Sequence, residues 1–145
     1  MFKIIELKEV DHTILRDLQT LLQQLSPTTK SPDRDDIETI INSNNSLLFI
    51  ATNSCGKVVG TLTLAWYLTP SGSSGWIEDV VVDSSQRGSG IGRALVECAI
   101  ERAQLLKIDK LSLTSHISRA AAHRLYREVG FESRETTLFR FKQKS

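Results

Sequence analysis

The sequence predicts an α/β fold around a mixed central sheet, and three observations carry that expectation. Strand-like alternation and helix-like apolar spacing take turns along the chain, in the order β-α-α-β-β-β-α-β-α-β. One strand runs directly into a glycine-punctuated turn and then a helix apolar over most of its surface, as a helix packed on a sheet must be. No repeat or linker interrupts the 145 residues, a length that suits one domain spanning 1–145.

Residues 2–8 alternate and read as the first strand. Asp11 can cap a helix whose Ile14, Leu15, Leu18, Leu21, Leu22 and Leu25 follow three-to-four spacing. "SPTTKSP" breaks that helix, and Ser31, Pro32 and Asp33 start another through Ile37, Ile40 and Ile41. "NSNN" ends it. "SLLFIAT" and "VVGTLTLAWYL", joined by the turn "NSCGK", read as a hairpin. Residues 69–75 are polar and glycine-bearing, the composition of a loop, and Trp76–Val82 is the next strand. A helix over Ile91–Leu106 carries Arg93, Glu97 and Glu101 on one stripe. "KLSLTS" is a short strand, and "RAAAHRLYREVG" is a helix with Gly130 placed as its left-handed terminator and Phe131 packing back. Thr136–Phe141 reads as a closing strand.

Composition narrows the function classes. The formal charge is +1, and no basic run gives the electrostatic footprint of a nucleic-acid binder. Cys55 and Cys98 stand far apart, outside any C-x-x-C pattern, so neither a metal site nor a disulfide framework is expected. "MFKIIELKEV" lacks a signal peptide's apolar block, and no stretch approaches the roughly 18 apolar residues of a membrane span. A soluble, cytoplasmic domain is the resulting expectation.

"QRGSGIGRAL" poses the functional question. Glycine is a poor occupant of strands and helices, yet three occur here at alternate positions: Gly88, Gly90 and Gly92. A strand–glycine turn–helix junction presents backbone N–H groups and the positive end of a helix to one spot, a natural anion cradle. Two common phosphate motifs fail on spacing. The dinucleotide fingerprint needs a third glycine where Arg93 stands, and the P-loop needs a lysine this turn lacks.

"RGSGIG", with Arg87, Gly90 and Gly92, resembles the coenzyme A loop [QR]-x-x-G-x-[GA] of the GNAT N-acetyltransferases. "AAAHRLYREVGF" is similar to the family's second block, A-x-x-[FL]-Y-x-x-x-G-F, in the expected order. The resemblance covers nearly the whole chain. It implies a mixed sheet with helices on both faces, splayed strands 4 and 5, and acetyl-CoA as co-substrate. Backbone amides of Arg87, Gly88, Ser89, Gly90, Ile91, Gly92 and Arg93 would cradle the pyrophosphate. Val80, Val81 and Val82 lie where the family's fourth strand meets the pantetheine arm, with main-chain groups of Val80 and Val82 offered to it. Arg93 has a rival role, an ion pair with Glu97.

The resemblance further implies acetyl transfer to a primary amine of a small molecule by direct attack in a ternary complex. Neutralising a lysine-like amine of pKa about 10.4 at pH 7 costs roughly 4–5 kcal/mol, so a base is needed. Glu78, in "WIEDVVVD", resembles the glutamate that assists deprotonation in relatives acting on small amines; Asp79 and His116 are the alternatives. Tyr126 matches the family tyrosine that protonates the departing thiolate, and Val80 N–H would meet the oxyanion. Many relatives carry asparagine where Arg119 stands, so that residue's contact does not transfer. His123, beside Tyr126, is a further histidine on that helix. A protein lysine or N-terminus as acceptor, and a non-catalytic acyl-CoA-binding sensor, are competing readings. No metal, nucleic acid or membrane partner is expected, and family habit makes a homodimer the candidate assembly.

Overall fold

A computed structural model describes residues 1–115 and 120–143. These belong to two compact units, Met1–Thr114 and Ser115–Ser145.

The first unit is a five-stranded sheet in the order β1-β2-β3-β4-β5. Its strands are β1 (Phe2–Glu6), β2 (Ser46–Asn53), β3 (Val58–Thr69), β4 (Gly72–Val82) and β5 (Lys110–Leu113). The first four pair antiparallel, and β5 joins β4 in parallel. Three helices connect them: α1 (His12–Gln23), α2 (Arg34–Ile41) and α3 (Ile91–Leu105). Asp11 caps α1 by accepting from Ile14 N–H at 2.8 Å. Asp33 and Asp36 close α2 with a reciprocal capping box.

Register divides the sheet into two faces. Leu48, Ile50 and Val81 pack with Leu18 and Leu21 of α1 and Ile37 of α2. On the other face, Phe49 and Leu62 stand opposite one another in the β2–β3 register. There α3 comes so close that a methyl on Gly60 would meet Ile91 at 2.9 Å and Leu95 at 3.1 Å. Helices therefore cover both faces, and every residue from Leu48 to Thr52 is buried. The far end of α3 is tied to β1: Arg102 donates to Glu6 at 2.6 Å while its guanidinium lies 5.5 Å over the Phe49 ring.

Two expectations require correction. The glycine- and serine-rich stretch 69–75 is a loop only at Pro70 and Ser71, because β3 runs to Thr69 and β4 begins at Gly72, its partner. Small residues are demanded here by packing rather than by a turn. A methyl on Gly75 would touch Ile108 at 3.0 Å, and Ser73 N–H and Oγ–H both donate to Asp109. The second correction concerns Thr136–Phe141. The five strands pair only with one another, and no described residue after Gly130 joins a ladder. Alternation supplies strand propensity, but a strand exists only with a partner edge; Leu138, Phe139 and Phe141 are exposed instead.

The second unit contains α4 (Ala120–Glu128). Its end is a Schellman motif built as expected around Gly130, whose φ is +111°. Gly130 N–H donates to Arg127 C=O at 3.1 Å and Phe131 N–H to Tyr126 C=O at 2.9 Å. The Phe131 and Tyr126 rings meet edge to face at 6.2 Å. His116 and Arg119 lie outside the described residues.

Candidate active site

The ladder between β4 and β5 is short. It runs from Ser74↔Lys110 to Ile77↔Leu113, while β4 continues to Val82. The two strands thus part at the residue before Glu78. On its other edge β4 stays paired to β3, with a bulge: Glu78 faces Thr63 and Val81 faces Thr61, so Asp79 and Val80 share the single partner position between them. Asp79 absorbs the extra residue with a left-handed φ of +51°. The bulge also sets side-chain directions. Val81 is buried in the α1/α2 core, whereas Glu78 and Asp79 are exposed and Val80 and Val82 half-buried.

The chain leaves β4 through Asp83 and a short 3₁₀ turn, Ser84–Gln86. Asp83 is the anchor. Its N–H donates to Val59 C=O, Gln24 Nε2 donates to its carboxylate at 3.1 Å, and Ser85 Oγ donates at 2.9 Å. Gln24 completes the tie by accepting from Ser84 N–H at 3.0 Å. The bonds from Gln24 first, then Ser85, hold the Asp83 carboxyl below its ordinary value. Gln24 caps the C-terminus of α1, so this clamp fixes the turn to the helix before it. Sequence reading found neither residue as part of the site. A glutamine ending one helix gives no local hint of a partner at Asp83, although an Asp-Ser-Ser run after a strand is a turn signal.

Beyond Gln86 the backbone opens. Arg87, Gly88, Ser89 and Gly90 are exposed, and Gly88 and Gly90 adopt φ of +83° and +89°. Gly90 is the N-cap of α3 and supplies no side chain to its first N–H groups. A Cβ added at Gly88 or Gly90 would meet nothing within 4 Å. These two glycines answer a backbone requirement, and the space their side chains would fill is open beside an uncapped helix terminus. Buried Ile91 fastens the helix start to the sheet below, and Gly92 follows in its first turn, half-buried. Main-chain donors, a positive helix end and open room together fit a diphosphate, the group a coenzyme A cradle must hold. Arg93 pairs with Glu97 at 3.2 Å, as its rival role required.

Tyr126, in the second unit, is half-buried on α4 with its ring against Phe131. Burial raises the thiol pKa of Cys98 on α3, leaving it a packing residue, and Cys55 is exposed in the β2–β3 turn. Among the described residues no cluster of three or more histidine, cysteine or acidic side chains could hold a metal. None of their helices is long and apolar enough to cross a membrane. A polar groove of about 650 Å³, lined by Lys8, Asp11, Arg34 and Glu38 among others, contains none of the candidate residues.

A family model described as "Acetyltransferase (GNAT) family" matches residues 13–131. The chain is 37% identical over 67 residues to N-alpha-acetyltransferase 30 of Saccharomyces cerevisiae, covering 46% of this chain and 38% of that protein. It is 30% identical over 86 residues to an L-methionine sulfoximine/L-methionine sulfone acetyltransferase of Pseudomonas paraeruginosa, covering 59% and 50%. The chain thus spans half or less of the length of these curated relatives. Its fold is similar to that of an aminoglycoside acetyltransferase from an uncultured soil metagenomic sample, crystallised with trehalose. That likeness has a TM-score of 0.84 at 21% identity and covers 99% of this chain and 97% of that one.

Proposed function

The chain belongs to the acetyltransferase (GNAT) family, and we propose that it moves the acetyl group of acetyl-CoA to a primary amine of a small molecule. The observation that carries this reading is the β4–α3 junction. Two left-handed glycines with open Cβ positions precede an uncapped helix, beside the point where β4 outruns β5. A small-molecule acceptor is supported by the Pseudomonas relative, which is named for L-methionine sulfoximine and L-methionine sulfone.

Backbone N–H groups of Arg87 to Arg93 hold the pyrophosphate, and β4 beyond Ile77 offers main-chain groups at Val80 and Val82 to the amide-rich arm. Bound acetyl-CoA supplies a thioester, whose acyl carbon is open to attack by nitrogen. Glu78 takes the proton that the acceptor ammonium must lose before its lone pair can form the new C–N bond. Val80 N–H donates to the acyl oxygen as charge builds on it. The C–S bond breaks, and Tyr126, the residue the family resemblance assigns to this step, gives its phenolic proton to the departing sulfur, while the second proton that the new amide nitrogen must lose restores the phenol.

Thiol release from acetyl-CoA across a panel of primary amines tests this reading. Turnover with at least one small amine is expected, and Glu78→Gln should lower kcat/KM on the order of 100-fold and flatten the acid side of its pH profile. Absence of release with every amine, despite coenzyme binding, would leave a sensor module. An unchanged profile in the variant would remove Glu78 from the chemistry.

A further inference from the structure

We propose that the acceptor carries its amine on a flat aromatic body, recognised by Trp76 and Tyr67 on the face of the sheet that bears Glu78. The inference rests on Glu78 as the base. A base must come within about 3 Å of the nitrogen it deprotonates, or one water away, so the rest of the acceptor lies over whatever adjoins Glu78. Strand geometry decides what that is. Residues two apart share a face and stand roughly 6.6 Å from one another, which makes Trp76 the neighbour of Glu78 along β4.

Trp76 is half-buried, and the residues directly across from it are small. Its cross-strand partners are Ala65 on β3 and Ser112 on β5, and Glu78 stands opposite Thr63. All three are small, so no bulky side chain stands directly opposite the indole or Glu78. Tyr67 lies diagonally across from Trp76, opposite Ser74, and is 48% exposed. Half-exposed Tyr67 and half-buried Trp76 thus put two rings beside a carboxylate, a surface suited to a ligand.

The chemistry of that surface selects among amines. Trp76 Nε1–H donates to the Tyr67 hydroxyl at 3.2 Å, so the indole's one polar group is used within the pair. That bond, one involving Ser74, and the charge of Lys110 hold the Tyr67 phenol below its ordinary pKa. What Trp76 has left to offer a ligand is π surface. A sugar amine would need several hydrogen-bonding partners for its hydroxyls, whereas an arylalkylamine needs a ring to stack on and an anion for its ammonium. A flexible aliphatic amine could use the anion but not the rings.

Steady-state thiol release with 2-phenylethylamine, n-hexylamine and glucosamine at saturating acetyl-CoA tests the proposal. We expect kcat/KM for 2-phenylethylamine to exceed that of the other two at least tenfold. Trp76→Leu should cut that preference about tenfold by raising KM, and Trp76→Phe, which keeps a ring, should retain most of it. Equal kcat/KM for the aryl and alkyl amines in the native protein, or a preference for glucosamine, would overturn the proposal without using any variant. Release from some amine with no ring preference sinks this inference alone. Release from none sinks the transferase reading and this inference with it.

Discussion

At the scale of single residues, the left-handed glycine is the feature whose cause and consequence are most directly linked. Gly90 has φ of +89°, and a methyl added there would have nothing within 4 Å, so an alanine meets no clash in the protein alone. Its cost is conformational, about 1 kcal/mol. Chemical denaturation of Gly90→Ala should show that small loss, while the dissociation constant for coenzyme A rises by a larger factor, about tenfold. A stability loss with unaltered coenzyme affinity would mean that the open space is not where the phosphates lie. Gly88 and Gly90 were legible in the sequence because few other residues adopt this backbone cheaply. Asp79 was legible only as an acidic candidate. Its left-handed φ follows from the bulge, and a bulge depends on the register of β4 against β3, which no local pattern records.

At the scale of elements, the turn between β4 and α3 is held from outside itself. Asp83 receives Gln24 and Ser85, and these bonds keep its carboxyl below the ordinary 3.8. A depressed carboxylate contributes stability that is complete above its unfolded value and disappears as pH falls through the lower folded value. Asp83→Asn should therefore melt a few degrees below the native protein at pH 7, and the gap should shrink as pH falls below the ordinary carboxylate value of 3.8. A gap that persists unchanged at low pH would show that the charge is not what the clamp uses. The same scale explains what sequence reading missed. Serines and glycines within 69–75 look like a loop, yet those from Gly72 on belong to β4, where Ile108 and Leu111 leave little room for a side chain at Gly75. Thr136–Phe141 alternates like a strand, but alternation cannot supply a ladder partner. Helix ends were more legible: the caps at Asp11 and Asp33 and the stop at Gly130 are each determined within a few residues.

At the scale of the whole molecule, the sheet of the first unit explains why the anion cradle lies where it does. Covered on one face by α1 and α2 and on the other by α3, it fixes the start of α3 through Ile91 and Leu95 against Gly60. The order of elements up to α4 was legible from periodicity because both faces of the sheet are buried, which forces regular apolar spacing on every helix that covers them. The parting of β4 from β5 was expected only through family resemblance, since ladder length depends on where a distant strand stops. The central claim is that main-chain donors at this junction grip a diphosphate. Titration calorimetry of the native protein with coenzyme A and with pantetheine, which lacks the pyrophosphate, tests it most directly. Saturable binding of coenzyme A at least a hundredfold tighter than that of pantetheine is the predicted result. Equal affinity for the two ligands, or no heat with coenzyme A at millimolar concentration, would contradict it.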